Sequence, residues 1–164
     1  MKEKNKTAVN YYKALKYIID LSNLNVREFS LAASISESLV RHADDTWNPK
    51  YTTIEKICNV IHISVPSFYN ITDHLAGNTG KVKLDYRIKK QEISPQELSL
   101  KLRRKRTSNN ITEGKLAAKT GFDKSNISKR ESQNSQSIML CSTLEIYADS
   151  FGLSMKQLSN YLYE

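Results

Sequence analysis

Glycine is scarce in this chain, and its scarcity narrows the chemistry: five glycines in 164 residues leave little room for a loop that cradles phosphates with bare backbone. Cysteine is scarcer still. Cys58 and Cys141 lie far apart and in no metal-ligand spacing, so two buried free thiols are expected. His42, His62 and His74 have no cysteine or carboxylate cluster at ligand spacing around them. No metal, no cofactor and no catalytic constellation are therefore expected, and the chain does not read as an enzyme. No run approaches the roughly eighteen apolar residues that span a bilayer. The start, Met-Lys-Glu-Lys-Asn-Lys followed by Thr7-Ala8-Val9-Asn10, lacks the apolar core of an export signal. The expectation is a cytoplasmic protein with no membrane partner.

Positive charge is what the chain has in excess. The net charge of +8 suggests nucleic acid or an acidic surface as partner. It is unevenly placed. Residues 1–75 carry nine Lys/Arg against eight Asp/Glu, and residues 76–164 carry sixteen against nine. The two halves thus face different electrostatic tasks.

Hydrophobic spacing and capping residues predict an all-α protein of two five-helix halves. In residues 1–75 a helix is expected from Ala8 to Ser22, with Tyr12, Leu15, Ile18 and Ile19 at helical spacing and Thr7 as cap. Asn25 caps Val26 to Ala33, and Ser36 caps a third helix to about Ala43. After a loop from Asp44 to Lys50, Thr52 with Glu55 forms a capping-box pattern before Ile54, Ile57, Cys58 and Ile61. Ser64 caps a last helix through Phe68 and Tyr69.

Residues 94–164 repeat this order. Ser94-Pro95-Gln96-Glu97 opens a helix to about Arg106. Thr112 caps Glu113 to Thr120, which Gly121 ends. Asp123 caps Lys124 to about Glu131, Ser142 with Glu145 repeats the capping box, and Ser154 leads into Met155 to Tyr163. Asn25 and Thr112 are 87 apart, as are Ser36 and Asp123; Thr52 and Ser142, Glu55 and Glu145, and Ser64 and Ser154 are each 90 apart. Three extra residues in the loop Ser132 to Ile138 account for the change, and the pattern is an internal duplication. Between the halves lies a basic linker, residues 76–93. Its Val82, Leu84, Tyr86 and Ile88 alternate with charged residues, the period of a short β segment that would need a pairing partner. A basic linker with fortuitous alternation is the other reading.

The stretch from Ile111 to Glu131 resembles the Cro/lambda-repressor helix-turn-helix family. Leu116, Ala117, Gly121, Ile127, Ser128 and Glu131 fall on that family's pattern, and Phe122 fills the apolar slot after the glycine. The similarity runs from Ser94 to Tyr163. It implies a pairing of Arg106 with Glu131, six residues before the second-helix cap and at the end of the recognition helix. The first half is similar but diverged: Phe29, Ile35, Ser36 and Val40 fit, whereas Ser34 replaces the turn glycine, Ser30 the alanine and Asp44 the glutamate. Ile19 stands where the pairing arginine would be.

The resemblance implies two tandem helix-turn-helix domains and sequence-specific binding of a double-stranded DNA operator. The third helix of each would enter the major groove. In the second domain the expected exposed face is Lys124, Ser125, Asn126, Ser128 and Lys129, with Ile127 inward; by resemblance Lys124, Ser125 and Lys129 meet base edges. Lys can donate to guanine and Asn can pair with adenine. Glu113 stands where the family often has a phosphate-binding glutamine, so Arg104, Lys105, Lys101, Arg103 and the linker's Lys89 and Lys90 are the candidates for phosphate contact. In the first domain Ser38, Arg41 and His42 occupy the matching face beside Glu37, Asp44 and Asp45. Either DNA contact or a role in dimerisation or protein binding fits that acidic surrounding. Tyr11, Tyr12, Tyr147, Phe151 and Tyr161 are expected in the cores, and Trp47 as a lid. The whole reads as a transcriptional regulator, a repressor of a phage or mobile-element operon acting as a homodimer; a monomer reading two unlike half-sites is the alternative geometry. The rival is an interaction protein, antitoxin or phage-encoded inhibitor, that autoregulates with one domain and binds protein through the other.

Overall fold

A computed structural model describes residues 9–78 and 80–164. Among them every regular element is a helix. Periodic apolar positions explain where the helices lie: in α1 (Tyr11–Ser22) the buried residues are Tyr11, Ala14, Leu15 and Ile18, one stripe of a 3.6-residue helix. No helix among the described residues is long and apolar enough to cross a membrane.

The chain divides into two compact units, one of residues 1–49 and 53–90, the other of 50–52 and 91–164. The first holds α1, α2 (Val26–Ala33), α3 (Glu37–His42), all but the first two residues of α4 (Tyr51–Val60), and α5 (Val65–Leu75). Leu15, Ile18, Phe29, Ile54, Ile57, Cys58, Phe68 and Ile71 form its core. Tyr11 stacks on Phe68 at 6.1 Å and meets Tyr69 edge-on at 6.5 Å, tying α1 to α5. The second unit holds α6 (Pro95–Ser108), α7 (Glu113–Thr120), α8 (Lys124–Arg130), α9 (Cys141–Ser150) and α10 (Met155–Tyr163). Leu98, Leu102, Leu116, Ile127, Leu144, Tyr147 and Leu158 fill its interior. Both cysteines are buried, and neither forms a disulfide.

The backbone carries the duplication more clearly than the side chains do. Three left-handed residues in the first unit, Asn23 (φ 56°), Ser34 (φ 53°) and His62 (φ 56°), recur in the second as Asn110 (φ 54°), Gly121 (φ 73°) and Gly152 (φ 70°). Their offsets follow the sequence register, and each pair closes the same kind of turn. The caps recur too: Asn25 accepts from the Glu28 amide in a full capping box, and Thr112 accepts from Lys115. Ser36 accepts from Leu39.

Several boundaries differ from the sequence reading. Thr7 and Ala8 lie outside the described residues, and α1 is capped by Asn10, whose side chain accepts from Lys13. Helix α4 begins at Tyr51, which puts Thr52 inside its first turn instead of before it. Helix α9 likewise begins at Cys141, with Leu140 at its N-cap and no side-chain cap, so Ser142 is not the capping residue. Leu140 is extended and bridges Lys50, so the helix starts directly behind a backbone already fixed by pairing. Asp123 occupies the N-cap of α8 and Ser64 that of α5, without a side-chain cap bond. Ser64 instead places its hydroxyl 2.9 Å from that of Ser67. Helix α6 runs two residues past Arg106, and in its last turn the Thr107 and Ser108 hydroxyls donate back to the carbonyls of Arg103, Arg104 and Lys105.

The expected β segment is reduced to a single antiparallel bridge, Ile63 to Tyr86, with no strand among the described residues. Residues 81–90 instead run along the first unit as a strap. The Ser64 amide donates to Asp85 O (2.7 Å) and the Arg87 amide to His62 O (2.6 Å). The Asp85 amide donates to Ser67 Oγ (2.8 Å), and Asn70 Nδ2 to Lys83 O (2.8 Å). Val82 and Leu84 are half-buried, whereas Tyr86 and Ile88 face outward.

Ser34 is a residue with a Cβ in a conformation that costs about 1–2 kcal/mol. Glycine would relieve that strain, at the cost of about 0.4–1 kcal/mol of extra freedom in the unfolded chain. Ser34→Gly is therefore expected to stabilise the protein by roughly 0.5 kcal/mol and to raise the melting temperature by a few degrees. A thermal melt that shows a lower Tm would contradict the turn assignment.

Candidate nucleic-acid interface

Helix α8 has seven residues, too few to be stable alone. One side chain anchors it: Ile127 is fully buried, and no other residue of α8 is. The spacing that turns Ile127 inward turns Lys124, Ser125, Asn126, Ser128 and Lys129 outward, and all five are exposed. Two further devices fix the helix from its C-terminal end. Arg130 lies over the Phe122 ring at 4.3 Å, joining the end of α8 to the turn that precedes it. Glu131, the C-cap residue, is buried against Arg106 of α6.

That ion pair is made in full. Arg106 Nε donates to both Glu131 oxygens at 3.0 and 2.8 Å, and Nη2 approaches Oε2 at 2.8 Å. Nη1 donates to Ile111 O at 2.7 Å, which also ties down the chain entering α7. Burial pushes the Glu131 carboxyl above the ordinary glutamate range, against the pull of the Arg106 guanidinium. Burial likewise raises the Tyr147 phenol beneath the pair. Its hydroxyl, like Arg130 Nη1, is buried without a hydrogen-bond partner among the described residues. Glu113 turns toward the same guanidinium, 3.7 Å from Arg106 Nη2, which draws its charge inward at the start of α7.

The basic run of α6 is divided by its surroundings. Arg103 and Arg104 are exposed. Lys105 is half-buried with its ammonium over the Tyr161 ring at 5.2 Å, and Lys101 donates to Leu162 O at 2.6 Å while facing Glu97. Lys101 and Lys105 therefore bind α6 to α10, and Arg103 and Arg104 are left as the outward cations of that helix. Tyr161 is half-buried for the same reason, its hydroxyl donating to Lys101 O.

The matching face of the first unit is differently occupied. Arg41 is paired to Glu37 within α3, Nη2 to Oε1 at 2.6 Å, and His42 Nδ1 lies 2.8 Å from Ser38 O. Ser38, Arg41 and His42 are exposed, yet they engage one another's turn of helix. Asp44 accepts from Thr46 and Asp45 from Asn10, so no carboxylate stands in for Glu131, and Ile19 stands in for Arg106. Leu31 on α2 is 72% exposed. Trp47 is half-buried in the loop after α3.

The Arg130–Phe122 contact and the turning of Glu113 toward Arg106 were missed from sequence. Neither follows from a helical spacing, because each spans a turn between elements. Comparison of the chain with protein-family models, with curated proteins and with solved structures finds no match to any of the three.

Proposed function

We propose that the chain is a sequence-specific, double-stranded-DNA-binding transcriptional regulator that works in the cytoplasm and reads DNA with α8 of the second unit. The observation that carries this reading is the division of α8. Ile127 is the one side chain turned into the core, and a continuous row of lysine, serine and asparagine is turned out. Those types supply the donors and acceptors that base edges require, and Arg103 and Arg104 add cations on the same unit. The sequence resemblance to the Cro/lambda-repressor family supports the same assignment and makes α7–turn–α8 a helix-turn-helix. So does the buried Arg106–Glu131 pair. On this reading the protein represses a phage or mobile-element operon as a homodimer on an inverted repeat, since one such helix covers only half a site.

A second reading is favoured for the first unit by specific observations. Arg41 is paired with Glu37 within α3, and Asp44 and Asp45 follow that helix exposed, surroundings better suited to a protein partner or to self-association than to phosphates. Binding to a labelled random-sequence duplex pool at low salt tests the DNA-binding reading. Wild type is expected to bind with a strong salt dependence, and Lys124→Ala/Lys129→Ala to bind at least tenfold more weakly. Absence of duplex binding at any salt concentration would overturn it.

A further inference from the structure

We infer that residues 81–90 form a second nucleic-acid contact, a lysine ridge on the first unit that grips phosphates without reading sequence. The inference rests on the DNA-binding reading and extends it to a part of the chain outside any recognition helix. Five of the ten residues are basic, Lys81, Lys83, Arg87, Lys89 and Lys90, against one acid, Asp85. Arg87 is taken up by Asp85 at 2.6 Å. The four lysines are exposed, and no ion pair among the described residues involves any of them.

The middle of the strap, residues 83–87, is held. Hydrogen bonds at Lys83, Asp85 and Arg87 hold the strap to residues 62–70, and half-buried Val82 and Leu84 face that way. Lys83 is thus displayed from held backbone and Lys81, Lys89 and Lys90 flank it, which lowers the ordering cost of binding phosphates there. Tyr86, 67% exposed, and Ile88, fully exposed, sit between them and offer apolar contact to sugar faces beside the phosphates. Arg41 of α3 is paired with Glu37, whereas the strap brings four lysines, in no ion pair among the described residues, together within ten residues.

The test is a salt titration of duplex binding by wild type and by Lys81→Gln/Lys83→Gln/Lys89→Gln/Lys90→Gln, with helical circular dichroism to confirm the fold. Removing one lysine–phosphate interaction should flatten the slope of log K against log salt by about 0.9, so removing four should flatten it by up to about 3.6. The preferred base sequence should not change. An unchanged slope overturns the inference while leaving α8 as the reader. Loss of binding to phosphatidylserine-containing vesicles, with the DNA slope intact, overturns it in favour of a lipid surface. If wild type shows no salt-dependent duplex binding, the inference falls together with the functional reading.

Discussion

Arg106→Ala is expected to cost the second unit about 3–5 kcal/mol, enough to leave it largely unfolded near physiological temperature. The side chains of Arg106 and Glu131 are only 7% and 1% exposed, so deleting the guanidinium strands a carboxylate away from water. It also frees Ile111 O and removes the charge toward which Glu113 turns. The cost arises from the charge left behind more than from the missing attraction. Arg106→Met/Glu131→Leu, which removes both charges and keeps the volume, should therefore be far milder than either single change. Chemical denaturation followed by helical circular dichroism separates these outcomes. A single variant as stable as wild type would mean that the pair contributes nothing to holding α6 against α8.

Ile127→Ala should lose about 2–5 kcal/mol and, on the proposed DNA-binding function, abolish selective binding without touching an exposed residue. The physical reason is the shortness of α8. A longer helix shares its docking among several buried side chains; α8 has Ile127 alone, flanked by the Arg130–Phe122 contact and the Glu131 cap. Truncating Ile127 opens a cavity beneath α8 and lets the exposed Lys124, Asn126 and Lys129, the proposed reading face, drift from their register. Specific binding should fall by more than nonspecific binding, because phosphate attraction tolerates such drift and base contacts do not. Equal loss of both would indicate simple unfolding, which the denaturation curve would show independently.

Helix positions were legible wherever a capping side chain coincided with the start of an apolar stripe. Helix α7 runs from Glu113 to Thr120 between Thr112 and Gly121, and α10 from Met155 behind Ser154, as their spacing predicts. Legibility failed where tertiary pairing sets the boundary. Ser142 looks like a cap, but the bridge at Leu140 starts α9 ahead of it, at Cys141. The alternation of Val82, Leu84, Tyr86 and Ile88 signals a segment packed along one edge, yet only the first two turn inward and one bridge forms. Within the candidate site the inward Ile127 and its exposed neighbours followed from helical geometry. The Arg106–Glu131 pair followed from a resemblance, since 25 residues separate its partners. Arg41–Glu37 sits at i, i+4 and was open to the same reasoning as the helix faces. Lys101 and Lys105 could not be told from Arg103 and Arg104, because only the packing of α10 decides which cations are occupied.

The proposed function makes α8 of the second unit the reader of base sequence. Selection of bound duplexes from a random pool tests it most directly, with wild type, Lys124→Ala/Lys129→Ala and Arg41→Ala/His42→Ala compared side by side. Wild type is expected to yield one defined motif, which disappears in the α8 variant and persists in the α3 variant. A motif that survives the α8 changes, or no enriched motif at all, would contradict that assignment.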